Sequence, residues 1–136
     1  MYSNILVPVL IDNNPSTKKA IDIAKQMVSD DGKITLLHVV EETPTYVNQM
    51  IPSDVIVNTI KNSQSEIKKM AETHAPGAKT AVVRGHASRS IMDYRDENDC
   101  DCIVIASHQP GLEDYFLGST AARVVRHAQC SVHVLR

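Results

Sequence analysis

Two apolar rhythms alternate along the whole chain. Short β-branched runs occur as ILVPV (5–9), KITLLHVV (33–40), KTAVVR (79–84), DCIVIA (101–106) and SVHVL (131–135). Helical spacing fills the gaps between them. Ala20, Ala24, Met27 and Val28 recur after Ser16, which is placed as an N-cap, and Asp31-Gly32 punctuates the end of that helix. Ile56, Ile60, Ile67, Met70 and Ala71 form one stripe on a helix over about residues 53–74, stopped by Pro76-Gly77. A third helix is expected over about 88–97 with Ser88 as cap, and a fourth from near Ser119 carrying Val124 and Val125. Strict β/α alternation predicts a parallel sheet with helices on both faces and right-handed crossovers. The near-continuous apolar strands agree, because a parallel strand is covered on both sides. Residues 41–54 are the least regular stretch and read as a long loop entering the second helix.

At 136 residues the chain has the size of one domain, taken as 1–136, without internal repeat or low-complexity tract. A net charge of −2 with no basic block argues against nucleic acid as a partner. No run approaches a membrane span, and MYSNILVPVLID lacks the features of a signal peptide. Three cysteines, an odd number, favour free thiols and a reducing compartment, so the expected location is the cytoplasm.

Pro8 conflicts with a central strand, because it has no N–H for the ladder. The conflict is resolved if the ladder ends near Val7. Val7–Leu10 then becomes the rim of a crevice, since ligands of open α/β sheets sit outside the strands' carboxyl ends where strand order reverses. Ser107, His108 and Gln109 spill over the same edge from the fourth strand, and Gly118-Ser119-Thr120 opens the following helix. Free N–H groups, two hydroxyls and an unhindered glycine describe a phosphate-type anion site. The competing reading is a plain helix cap. There is no Gly-Lys-Ser/Thr of a Walker A loop, so fast phosphoryl transfer is not expected.

ILVPV, LLHVV, Gly85 after the third strand, and ASHQP…LGSTAARVVRHAQCSVHVL together resemble the universal stress protein family. The resemblance extends over nearly the whole chain and is most specific in the C-terminal block. It implies a five-stranded parallel α/β sandwich of strand order 3-2-1-4-5, related to the adenine nucleotide alpha-hydrolase-like fold. It also implies a homodimer and ATP, accompanied by Mg2+, in the crevice between strands one and four; the apolar edge strand 131–135 is where the dimer is expected to pair. Carried over by position, Pro8, Val9 and Leu10 match the first contact loop, Val39 the adenine-facing backbone, and Gly85 a glycine near the ribose. Ala106, Ser107, His108 and Gln109 match the start of the phosphate motif, and Gly118, Ser119 and Thr120 its end.

Three departures stand out. Leu10 replaces a usual Asp, for which Asp12, two residues later, substitutes if the loop bends; Ala106 and Gln109 replace glycines; and the motif is one residue short. The text ASHxP…LGS…VVRHAxCSV resembles a branch with the same short loop, in which nucleotide binding is known. The resulting expectation is an ATP-binding regulatory protein acting on an unknown protein partner, with at most slow hydrolysis. Nucleotide would order the 107–117 loop. The alternative is a nucleotide-free dimeric interaction module, and a small hydrolase ranks last because no catalytic set is visible.

Other groups read as structural. Cys100-x-Cys102 and the distant Cys130 lack four zinc ligands, so unliganded thiols are expected, with redox sensing as the alternative. His38 is expected to be packed and hydrogen-bonded, His133 to face a partner, and His108 to steady the crevice loop or face the nucleotide. Asp96, Glu97, Asp99 and Asp101 are expected to form a solvated acidic turn, and Arg123 and Arg126 to be surface or interface residues. Gly85-His86-Ala87-Ser88-Arg89 does not have nucleophile-elbow spacing.

Overall fold

The computed structural model describes residues 1–11, 15–42, 49–107 and 118–136. The elements follow in the order β1 (Tyr2–Pro8), α1 (Pro15–Met27), β2 (Val28–Glu41), α2 (Ser53–His74), β3 (Lys79–Gly85), α3 (Ala87–Glu97), β4 (Cys102–Ala106), α4 (Ser119–His127) and β5 (Ser131–Leu135). The strands form one sheet of order β3-β2-β1-β4-β5, and every pair is parallel. The architecture and strand order are those the family resemblance implies.

Side-chain alternation divides the core into two layers. Ile5, Val7, Leu36, Cys102 and Val104 face α1 and α2, where Ala20, Ile21, Ala24, Ile67 and Ala71 meet them. Leu6, Leu37, Ile103 and Ile105 face α3 and α4, against Ile91, Ala121 and Val124. Ile5, Leu6, Ile21, Leu36, Leu37, Ile67 and Ile103 are each less than 2% exposed. Each contributes about 2 kcal/mol of transfer free energy. The C-x-C pair is split by the sheet: Cys102 lies in the first layer and Cys100 in the second.

Several boundaries differ from the sequence expectation. The first strand starts at Tyr2 rather than Ile5, because the carboxylate of Asp101 secures the start of the chain. Its oxygens accept from the Ser3 N–H (2.9 Å), the Ser3 hydroxyl (3.0 Å) and the Asn4 N–H (3.0 Å). Asp101 is therefore a hydrogen-bonded clamp at a partly exposed position, while Asp96, Glu97 and Asp99 are exposed as a solvated turn requires. Asp31-Gly32 does not end α1. The helix stops at Met27, and β2 already begins at Val28, with a register irregularity between Tyr2 and Asn4 of β1. Gly32 lies within that irregular stretch, where a Cβ would come 2.5 Å from Val28 Cγ2.

The helix caps also move. Ser16 lies inside α1, and Pro15 takes the first position, which suits a residue without an N–H. Ser88 is inside α3 and buried, whereas His86 is the N-cap. Gly85 leads into that turn with φ +153°, and a Cβ there would lie 2.7 Å from Ser90 Oγ.

Pro8 is paired, contrary to the ladder ending near Val7. It lies opposite Leu37, and the Val9 N–H donates to the Leu37 carbonyl at 2.8 Å. Successive N–H groups alternate sides in a strand, so Pro8 presents its missing donor towards β4. There the β1/β4 ladder has already ended, with Leu6 opposite Ile103. The proline thus leaves no β1–β4 bond unmade and occupies the point where the two strands part.

Candidate functional site

The parting of β1 and β4 opens a cavity of about 320 Å³ at the carboxyl edge of the sheet. Its floor is apolar: Val9, Leu37, Val39, Ile91 and Ile105. Pro8 and Leu10 form the rim on β1, Glu41 that on β2, and Ala106 and Ser107 that on β4. Three helix starts reach it, through Ser16 and Thr17 of α1, Ala87 of α3, and Gly118, Thr120 and Ala121 at the beginning of α4.

The chemistry of this lining divides in two. Aliphatic side chains on the strands suit a flat, weakly polar group. The start of α4 suits an anion. Gly118 is the N-cap in extended conformation and makes no side-chain cap hydrogen bond. The first intrahelical bond of α4 from beyond the cap runs from the Ala122 N–H to the Gly118 carbonyl at 2.9 Å. The amides of the preceding turn therefore have no carbonyl of their own helix to bond, and they add to the positive end of the helix dipole.

Backbone and hydroxyl bonds hold the rim in place. His38 Nδ1 lies 3.0 Å from the Val9 carbonyl oxygen, so this histidine is hydrogen-bonded as expected and supports a cavity-lining residue. Ser107 donates from its N–H to the Leu135 carbonyl at 2.9 Å and from its hydroxyl to the same oxygen at 3.4 Å. That hydroxyl is committed to β5 and supplies the cavity with little polarity.

Of the sequence candidates, the structure brings Pro8, Val9, Leu10, Val39, Ala106, Ser107, Gly118 and Thr120 to one cavity. Gly85 and Ser119 are not in its lining: Gly85 shapes the turn into α3, and Ser119 is exposed on the first turn of α4. Asp12, His108 and Gln109 lie outside the described residues. Leu10 is 61% exposed and offers no carboxylate where the family pattern has one. Sequence reasoning missed Thr17, Glu41, Ala87 and Ile91. Thr17 and Ala87 follow strands β1 and β3 as Gly118–Thr120 follows β4, so the strand-to-helix junctions were the signal available.

Elsewhere, all three cysteines are free thiols. Burial raises Cys100 and Cys102 to about 11 and also raises Cys130. Among the described residues no cluster of three His, Cys, Asp or Glu side chains is placed to hold a metal, and no helix is long and apolar enough to cross a membrane.

The sequence profile described as "Universal stress protein family" matches residues 1–136. Universal stress protein G of Salmonella typhimurium is 30% identical over 147 residues, covering 100% of both chains. The solved structure of universal stress protein UspA from Lactobacillus plantarum is similar with a TM-score of 0.72 and 27% identity, over 99% of this chain and 98% of that one. A universal stress protein from Archaeoglobus fulgidus, solved in complex with dAMP, shares the fold with a TM-score of 0.60 and 20% identity, over 99% and 98% of the two chains. With the profile spanning every residue from 1 to 136 and the sheet order that the sequence resemblance implied, this chain belongs to the universal stress protein family.

Proposed function

We propose that this protein is a cytoplasmic, ATP-binding regulatory protein that acts as a homodimer on a protein partner. The observation that carries the reading is the cavity itself, with an aliphatic floor drawn mainly from β1, β2 and β4 and, at one end, a helix start whose N-cap, Gly118, makes no side-chain cap bond. The adenine stacks on the Val9, Val39 and Ile105 side, and the phosphates lie on the amides of Gly118–Thr120. The dAMP complex of the Archaeoglobus fulgidus relative supports an adenine nucleotide as the ligand class. Three free thiols support a reducing compartment.

Magnesium fits as a companion of the nucleotide. It is commonly held by one or two carboxylates together with substrate phosphates. Glu41 is the one carboxylate in the described lining, and Thr120 adds a hydroxyl. The metal supplies neutralisation of phosphate charge. In this reading hydrolysis is slow and ligand occupancy is the signal, because the sequence has no Walker A lysine to speed phosphoryl transfer.

Leu10 favours a second reading, a nucleotide-free dimer of the same fold, because it removes the rim carboxylate. In both readings β5 carries the dimer. It is an edge strand whose Val132, Val134 and Leu135 are only partly covered. Thermal melting with ATP, ADP and AMP plus magnesium separates the two readings. Stabilisation that grows with ligand concentration supports the first, and unchanged melting supports the second. Sedimentation reporting only monomer contradicts the dimer.

A further inference from the structure

Arg123 on α4 is exposed and has no ion pair among the described residues. Its Nη1 lies 3.0 Å from Nε2 of His86, the N-cap of α3. A guanidinium has donors only, so Nε2 must accept and the imidazole is neutral with its proton on Nδ1. That proton is directed at Ser88 Oγ, 3.2 Å away. A permanent cation is thus held by a neutral acceptor, which is a weak counterpart for it.

The position of this pair matters. Thr120 and Arg123 are three residues apart on α4, and such residues stack on one helix face. Side chains lean towards the N-terminus of their helix, so Arg123 lies over the turn that begins at Ser119. His86 immediately precedes Ala87, which lines the same cavity as Gly118 and Thr120. Arg123 and His86 are not themselves in the cavity lining, but their contact joins the beginnings of α3 and α4, both of which reach it.

We propose that Arg123 is held in reserve on His86 and recognises the terminal phosphate of the bound nucleotide, making the site select triphosphate over monophosphate. The proposal rests on the nucleotide reading above. Phosphate oxygens are charged and accept a bidentate guanidinium, so they outcompete a single neutral imidazole nitrogen. The α4 amides hold phosphate whichever nucleotide binds, and in this proposal Arg123 adds a contact that only a nucleotide with further phosphates can use.

The test is calorimetric titration of ATP and AMP, each with magnesium, into wild type, Arg123→Gln, Arg123→Lys and His86→Ala. Arg123→Gln weakens ATP about tenfold and leaves AMP within about twofold. Arg123→Lys restores part of the loss. His86→Ala frees the guanidinium and keeps or tightens ATP. Equal losses for ATP and AMP in Arg123→Gln, or a His86→Ala protein that loses ATP as Arg123→Gln does, would mean a merely structural latch and overturn the proposal while the nucleotide reading stands. Failure of wild type to bind either nucleotide overturns both.

Discussion

His38 Nδ1 and the Val9 carbonyl oxygen are 3.0 Å apart, which joins a side chain of β2 to the backbone of the cavity rim. A carbonyl only accepts, so Nδ1 carries the proton. The Val9 N–H donates to Leu37 in the opposite sense, and both polar groups of this residue are therefore fixed to β2. His38→Ala leaves the Val9 carbonyl without this donor. We expect a loss of about 1–2 kcal/mol in urea unfolding and a weaker nucleotide complex. Unfolding midpoints and nucleotide affinities equal to wild type would show that the bond does not hold the rim.

Asp101 gives stability a defined pH dependence. Burial pushes its carboxyl up, but donors from Ser3 and Asn4 outweigh this, and the net shift is downward. A carboxyl lowered in the folded state contributes stability that is complete above its unfolded value near 3.8 and is lost as the pH falls through its lower folded value. Asp101→Asn should cost about 1–2 kcal/mol at neutral pH, and the gap to wild type should close below the ordinary carboxylate value. A gap that is constant down to acid pH would contradict the clamp.

The buried thiols behave in the opposite sense. Desolvation raises Cys100 and Cys102 to about 11. Their burial adds stability that is present below the unfolded thiol value and fades as the pH climbs through 11. At pH 8 both should resist iodoacetamide in the native protein and react in urea, because the thiolate is the nucleophile. Rapid labelling of the native protein at either position would show that these thiols are not buried and protonated.

Much of the fold is legible in the residues, for reasons that can be named. β-branched runs at 33–40, 79–84 and 131–135, bounded by turn signals and too short for helices, favour strands, and Ile67 and Ala71 mark the buried face of α2. What hydropathy does not reveal is backbone pairing made by polar residues. Ser3 and Asn4 extend β1 because Asp101, almost a hundred residues later, accepts their N–H groups. Ser88 resembles a cap, but tertiary packing buries it and leaves the cap position to His86.

The candidate site was partly legible for a similar reason. The ends of β1 and β4 were found by the oddity of Pro8 and the Gly118-Ser119-Thr120 helix start. Thr17 and Ala87 sit at strand-to-helix junctions that the sequence does show, but Glu41 joins them only through the convergence of strand ends, which no local pattern records. The pairing of His86 with Arg123 likewise links residues 37 apart that share no motif.

The proposed nucleotide site depends on α4 amides at the cavity holding the phosphates. Calorimetric titration of ATP with magnesium into wild type and Thr120→Asp tests it most directly. An aspartate in the first turn of a helix is favoured by the dipole, so the variant should melt no lower than wild type. Its carboxylate would stand in the phosphate position and repel the ligand. Wild type should bind saturably and the variant should lose at least about tenfold in affinity. Equal affinity in both proteins, or no binding by wild type, would contradict it.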